Sequence, residues 1–235
     1  MNKSTLRRLL PVAILLAGLA VFLLFGLEHY FSFGMLARHK ATLTAWVAAH
    51  GVLAGLTFVL AYALMVAFSL PVAVVATPVG GFLFGTWTGA GLSAIAATLG
   101  SIAVFLAARY AFRGLFRARA GAMLARLEDG FRHNDFSYLL FLRLVPIFPF
   151  WLVNIVPALL GMPLRRYVLA TMLGIVPASI VYASVGAGLG AVLKRGEQPD
   201  LGIIFEWHIL LPLLGLAALA LLPVLFSRLR RQPSS

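Results

Sequence analysis

The stretch "FLRLVPIFPFWLVN", residues 141–154, places one arginine and two prolines inside an otherwise apolar run. A continuous membrane helix needs about 20 apolar residues, and proline removes a backbone donor and interrupts helical hydrogen bonding. Broken backbone at membrane depth is tolerated only where it is buried in protein or lines a wet cavity. The stretch therefore predicts a re-entrant hairpin of two short helices over residues 138–162.

The composition of the chain is that of a membrane protein. Its 235 residues are 62% hydrophobic and only 11% charged, whereas soluble domains carry about a quarter charged residues. The net charge of +12 lies in short segments between apolar runs, as expected for cytoplasmic loops, so no nucleic-acid partner is predicted. The excess of arginine over lysine favours a GC-rich bacterial source. We expect an all-α polytopic membrane protein.

The apolar runs divide the chain into three parts. An N-terminal anchor and linker occupy residues 1–45, a membrane domain residues 46–195, and a last span with a basic tail residues 196–235. The first run is longer than a signal-peptide core and lacks a clear cleavage site, which favours an uncleaved anchor over a signal peptide. The predicted spans are residues 9–27, 46–68, 89–109, 166–190 and 203–226.

A second broken segment is "SLPVAVVATPVGGFLFGTWTG", residues 69–89. Pro71, Pro78 and the pair Gly80-Gly81 oppose a continuous helix, which predicts a first hairpin over residues 69–88 with its turn at these residues. A kinked span is the alternative.

A helix with small residues on one ridge follows each broken segment, which favours close packing in lipid. The ridges are Gly89, Ser93, Ala97 and Ser101 in one helix, and Gly174, Ala178, Gly186 and Gly190 in the other. This order occurs once before and once after the joining loop. Because that loop lies on one side of the membrane, the two units cross in opposite senses, which predicts an inverted repeat.

The joining loop, residues 112–131, has apolar positions at helical spacing and many arginines, which predicts a basic amphipathic helix at the headgroup boundary. With six arginines from Arg109 to Arg132, this loop is placed in the cytoplasm together with the C-terminus. Counting back through the first hairpin puts the N-terminus outside, against Lys3, Arg7 and Arg8. Either the first run does not fully cross or one hairpin is a span.

Enzyme chemistry has no sequence signature here. The histidines lack metal-binding spacing, no nucleophile motif occurs, and all seven acidic residues sit in linkers or at span ends. We expect no enzyme activity, no cofactor and no metal.

Arg143 is the strongest candidate for a functional residue. An ionisable side chain at membrane depth is costly and marks a functional position; the alternative is an anchor that snorkels to the headgroups. Its planar guanidinium suits bidentate binding of phosphate, and Asn154 can cap freed carbonyls or donate to the same ligand. The candidate substrate contacts are Arg143, Asn154, Pro146, Pro149, Pro71, Gly81, Gly85 and Arg109.

Residues 70–110 and 141–179 together resemble the DedA superfamily, and more closely its branch of SNARE-associated Golgi or VTT-domain proteins. The resemblance is carried by R-L-x-P-x-x-P-F-x-x-x-N at Arg143–Asn154 and by the glycine-rich segment that ends in Ala108-Arg109. It implies two opposed re-entrant hairpins. It also implies lipid movement, because eukaryotic relatives are phospholipid scramblases and bacterial relatives are linked to undecaprenyl phosphate recycling and membrane-potential homeostasis.

The resemblance has departures. Arg143 and Pro146 match the family's hairpin pattern, but the neighbourhoods of Ala61 and Ala73 lack the acidic residues of many bacterial relatives, and Pro149 stands where a second arginine is expected. This favours passive or weakly coupled movement of lipids with anionic headgroups in the cell inner membrane. A small-solute or ion transporter, or a non-transporting scaffold that uses residues 112–131, remains an alternative.

Overall fold

The structure, a computed structural model, describes residues 39–70, 73–145, 147–194 and 205–229, together with the single positions 17, 20 and 24. The predicted first span, except for these three positions, lies outside the described residues, as do Pro71, Pro146 and the C-terminal tail from residue 230. For residues 112–133 only the backbone is described.

The described part of the chain is helical and contains no strand, which confirms the predicted all-α class. Its helices are α1 (Lys40–Ala49), α2 (Gly51–Ala67), α3 (Ala73–Phe84), α4 (Thr86–His133), α5 (Asp135–Leu144), α6 (Phe150–Leu159), α7 (Leu164–Lys194) and α8 (Trp207–Leu229).

Two helices of the described residues are long and apolar enough to cross a membrane: α4 over Thr86–Ala111 and α7 over Leu164–Gly188. They correspond to the predicted spans 89–109 and 166–190. Helix α8 covers most of the predicted last span, although its apolar part, Ile209–Leu222, is shorter. The described chain therefore has two candidate spans, or three if α1 and α2 are counted as one broken span.

The predicted span 46–68 is wrong as a single helix, because α1 and α2 meet at an angle of 116°. His50 leaves the helical conformation at φ −131° and ψ 39°. The following Gly51 is exposed, and no atom lies within 4 Å of the place where a Cβ would stand. The bend therefore lies at an open position of the described structure.

The first broken segment differs from its prediction, which placed a turn at Pro78 and Gly80-Gly81. These residues lie inside the continuous helix α3, because a proline in a packed membrane helix is tolerated when neighbours satisfy the freed backbone groups. The chain turns on both sides of α3 instead, at Ser69 (φ 54°) and at Gly85 (φ 80°).

A Schellman motif makes the first of these turns. The amides of Ser69 and Leu70 donate to the carbonyls of Val66 and Met65, both at 2.9 Å, with Ser69 in the left-handed conformation that the motif requires. Helix α6 ends in the same way, with Gly161 (φ 77°) in the left-handed position and the Met162 amide bonded to the Pro157 carbonyl at 3.0 Å.

The second broken segment consists of two short helices, as predicted. Helix α5 ends at Leu144, Val145 is extended (φ −86°, ψ 110°), and α6 begins after Pro149. A helix, a break, a second short helix and a long span therefore occur in the order α2–α3–α4 and again as α5–α6–α7.

The two units pack crosswise. Helix α3 lies on the span of the second unit so closely that Cβ atoms at Gly81 and Gly186 would overlap the backbones of Ala183 and Pro78, respectively. Helix α6 lies on the span of the first unit, where Val153 shares a buried cluster with Phe105 of α4. Each short helix thus stabilises the other unit's span.

The predicted ridge of small residues on α4 is buried: Ser93 and Ser101 are 0% exposed and Ala97 is 4% exposed. The predicted separate amphipathic helix over residues 112–131 is wrong as to its boundary. The backbone of α4 continues without interruption to His133, because the sequence between Ala111 and His133 contains glycines but no proline to end the helix.

Candidate functional site

The break in the second unit brings the predicted pair Arg143 and Asn154 together. Nη2 of Arg143, in the last turn of α5, donates to Oδ1 of Asn154 in α6 at 2.5 Å. The same nitrogen lies 3.1 Å from the Tyr167 hydroxyl and 3.2 Å from Oγ1 of Thr171, both on α7. The guanidinium is thus turned toward protein partners, which disagrees with a snorkelling anchor.

Tyr167 extends this network to α4. Its hydroxyl lies 3.2 Å from the carbonyl oxygen of Ser101 and 3.0 Å from Oδ1 of Asn154. One hydroxyl has one proton to donate, so it can serve only one of these acceptors at a time. We call Arg143, Asn154, Tyr167, Thr171 and the Ser101 carbonyl the arginine cluster; it joins α4, α5, α6 and α7.

The arginine cluster has more donors than acceptors. Nε and Nη1 of Arg143 and Nδ2 of Asn154 are buried and have no hydrogen-bond partner among the described residues, and Asn154 is 0% exposed. A buried donor without a partner costs about 1–3 kcal/mol, and more when it is charged. The described contacts of Arg143 are neutral side chains, so the site suits an added anionic acceptor.

Aromatic rings enclose the guanidinium. Cζ of Arg143 lies 5.0 Å from the ring centre of Phe150 and 5.8 Å from that of Tyr167, both within cation–π range. The Tyr167 ring stacks in turn on Phe105 of α4 at 4.2 Å. These rings keep a cation in place without neutralising it.

A groove of about 430 Å³ lies where the two broken segments meet. Ser69 and Leu70 from the break between α2 and α3, and Phe150 and Trp151 from the start of α6, line it. The remaining walls come from α2, α3, α4 and α7. Both breaks in the helical backbone therefore face one cavity.

Hydroxyl groups interrupt the apolar lining of the groove. Tyr62 of α2 and Thr77 of α3 are joined by a hydrogen bond of 2.8 Å between their hydroxyl oxygens. Ser179 and Tyr182 of α7 also line it. An apolar cleft with a few placed polar groups is the usual form of a ligand site.

Comparison with known proteins identifies the family. The model of the VTT domain matches residues 70–188, about half of the chain. This chain is a VTT domain protein. The match covers the second break, the arginine cluster and most of the residues that line the groove, and it confirms the resemblance expected from the sequence.

Three curated relatives that this VTT protein matches carry the name Transmembrane protein 41. A Transmembrane protein 41 homolog of Dictyostelium discoideum is 30% identical over 73% of the chain and 51% of the relative. A homolog of the same name from Caenorhabditis elegans is 26% identical over 72% of the chain and 68% of the relative. Human Transmembrane protein 41B is 31% identical over 43% of the chain and 33% of the relative.

The chain thus spans about half of the Dictyostelium relative, and no solved structure matches it significantly. These relatives are eukaryotic, so a bacterial source stays a prediction. The matched residues 70–188 lie inside the predicted membrane domain 46–195, whose ends also stay a prediction.

Four further predicted site residues are described by the structure and lie outside the arginine cluster, whereas Pro71 and Pro146 are not among the described residues. Pro149 is exposed directly before α6, and Gly85 is exposed at the turn between α3 and α4. Gly81 packs against Ala183 instead of lining the groove. Arg109 lies 6.0 Å from the Phe105 ring, one aromatic ring removed from Tyr167. Their contact with a substrate stays a prediction.

Tyr167 and Thr171 were not predicted. The sequence feature that could have indicated them is a pair of hydroxyl residues four apart on an apolar span, because this spacing places both on one helix face. Gly174, predicted as a packing residue, continues this face, where a Cβ would overlap that of Arg143.

An ion pair between a buried aspartate and an exposed arginine was also missed. Asp135, at the start of α5, is 1% exposed and accepts from Nη1 of Arg166 at 3.1 Å and from the Phe136 amide at 2.7 Å. It ties the start of α5 to the start of α7. Among the residues that the structure describes, no group of three His, Asp or Glu side chains is placed to hold a metal ion.

Proposed function

We propose that this VTT protein moves lipids with anionic headgroups across the bilayer, passively or with weak coupling. The groove where the two broken segments meet, with Arg143 directly behind its Phe150 wall, carries the proposal. A phosphate headgroup entering there can accept hydrogen bonds from the free donors of Arg143 and Asn154. The acyl chains stay against the apolar outer faces of the helices.

The repeated order α2–α3–α4 and α5–α6–α7 supports two opposed re-entrant hairpins. In this arrangement each break is reached from its own side of the membrane, and the groove provides a path between them. We place the protein in the cell inner membrane, with residues 109–132 and the C-terminus in the cytoplasm. The activity is transport without covalent chemistry, so no enzyme and no cofactor are invoked.

A liposome assay tests the proposal. Purified protein is reconstituted with fluorescent phosphatidylglycerol, and dithionite bleaches only the outer-leaflet label. Wild-type protein is expected to expose the inner-leaflet label, which empty vesicles protect. If the inner-leaflet label is protected equally in vesicles with and without the protein, the proposal fails.

Arg143→Ala is expected to lower the rate at least tenfold, because the site then lacks its cation. Arg143→Lys keeps a positive charge but not the planar fork, and it should retain part of the rate. Thermal unfolding in detergent checks that both variants are folded. Unchanged transport by folded Arg143→Ala would leave this side chain a structural role only.

A small anionic solute is a second candidate, because a groove of about 430 Å³ lies within the size range of small-molecule sites. A competition experiment distinguishes lipid movement from transport of a small solute. Inorganic phosphate that blocks lipid movement at millimolar concentration and is itself taken up by sealed vesicles would favour the solute. The scaffold hypothesis concerns side chains of residues 112–131 and stays a prediction.

A further inference from the structure

Phe150 stands between the groove and the arginine cluster. Its side chain lines the groove, while Cζ of Arg143 lies 5.0 Å from the centre of its ring. Phe150 is the first residue of α6, directly after the break, and it is 38% exposed. The ring therefore has the open groove and the guanidinium as neighbours.

The groups behind this ring are short of acceptors. Nε and Nη1 of Arg143 and Nδ2 of Asn154 are buried and have no described partner, while Nη2 already has three acceptors within 3.2 Å. An aromatic face attracts a guanidinium but accepts no strong hydrogen bond from it. An oxyanion satisfies the same donors far better, since charge-assisted bidentate bonds are the strong ones.

We infer that the Phe150 ring is a gate: it covers the free donors of Arg143 from the groove and rotates aside when an oxyanion binds to them. That the oxyanion belongs to a lipid rests on the proposed function, whereas the covering by the ring does not. A half-exposed side chain at a helix start can change rotamer on the picosecond-to-nanosecond scale. The gate thus acts through the fraction of time for which the site is open.

Arginine labelling tests the gate without any transport. The full-length protein in lipid nanodiscs is treated with phenylglyoxal, which reacts with accessible guanidinium groups, and labelling of Arg143 is followed by peptide mass spectrometry. Phe150→Ala is expected to raise the labelling rate about two- to fivefold, the factor that corresponds to loss of one exposed cation–π contact. Labelling of Arg166, which is largely exposed, should be unchanged and serves as the internal reference.

Phe148→Ala is the matched control. Phe148 lies in the same break, is 39% exposed, and is not among the rings described around Arg143. Its removal should leave the labelling rate of Arg143 at the wild-type value. Equal labelling in wild type and folded Phe150→Ala, or equal acceleration in both alanine variants, would overturn the inference.

Phe150→Trp covers the case in which the alanine variant does not fold. Its larger ring is expected to slow labelling at least twofold, because tryptophan is the strongest cation–π partner. Labelling as fast as in wild type would contradict the gate. Failure of wild-type protein to move lipid would defeat the proposed function and leave this labelling result intact, so the two can fail separately.

Discussion

The two broken segments share an order of elements but have different interiors. Around the first break the polar groups are neutral hydroxyls, Tyr62 and Thr77, which satisfy each other at 2.8 Å. Around the second break Arg143 and Asn154 leave buried donors unused. The hydroxyl pair at the first break thus satisfies itself, whereas the second break keeps charged and amide donors that can still bind a ligand. Under the proposed function, the second unit therefore carries the recognition of the headgroup.

The close crossing of α3 from the first unit and α7 from the second should give the largest effect on stability. Gly186→Ala adds a Cβ that overlaps the Pro78 backbone of α3, and overpacking of a rigid interior costs about 3 kcal/mol or more when backbone must move. We expect a sharp loss of thermal stability, measured by detergent-extracted fluorescence size-exclusion chromatography. Gly188→Ala on the same helix has open space around its Cβ and should be neutral. Equal stability of both variants would contradict the close crossing of α3 and α7.

The buried polar network of the second unit should come next. Asn154→Leu removes an acceptor of Arg143, and hydrogen bonds to charged groups contribute about 1.5–3 kcal/mol. We expect a loss of about 2 kcal/mol in thermal or denaturant unfolding. Adding Arg143→Met should recover most of it, because no buried charge is then left without its acceptor. Strict additivity in this double-mutant cycle would show that the two side chains do not interact.

The hydroxyl pair of the first unit should give the smallest effect. Thr77→Val keeps the shape of the side chain and removes one neutral hydrogen bond with Tyr62, a change of about 1 kcal/mol. Lipid movement should stay within about twofold of wild type, and Tyr62→Phe, which removes the same bond from the other side, should match it. A loss as large as that of Arg143→Ala would place recognition in the first unit as well.

Sequence patterns predicted the helices well and the turns less well. Long apolar runs carry the signal for α4 and α7, and the prolines between α5 and α6 mark a true break. The turn predicted at Pro78 was wrong, because proline breaks a helix only where its lost hydrogen bond is not compensated by packing. The turn at Ser69 has no glycine to announce its left-handed conformation.

The arginine cluster was half predictable. A charge at membrane depth pointed to Arg143, and Asn154 followed from its position across the break. Tyr167 and Thr171 come from a different helix, and their contact depends on how α7 crosses α5 and α6. Gly174 permits that crossing, but a glycine alone does not say which helix will approach it.

The length of α4 is incompatible with a straight rod. From Ser101 to His133 a straight α-helix advances about 48 Å, at 1.5 Å per residue. Helix α5, with 10 residues, adds only about 15 Å, yet Arg143 at its far end reaches the Ser101 carbonyl through the single hydroxyl of Tyr167. Helix α4 is therefore bent between Ser101 and His133.

The arginine-rich end of α4 belongs to the same continuous helix as Ser101. No loop separates this end from Ser101, whose carbonyl oxygen lies 3.2 Å from the Tyr167 hydroxyl. Under the proposed cytoplasmic placement, the segment that meets the bilayer surface and the carbonyl next to Tyr167 are thus parts of one helix.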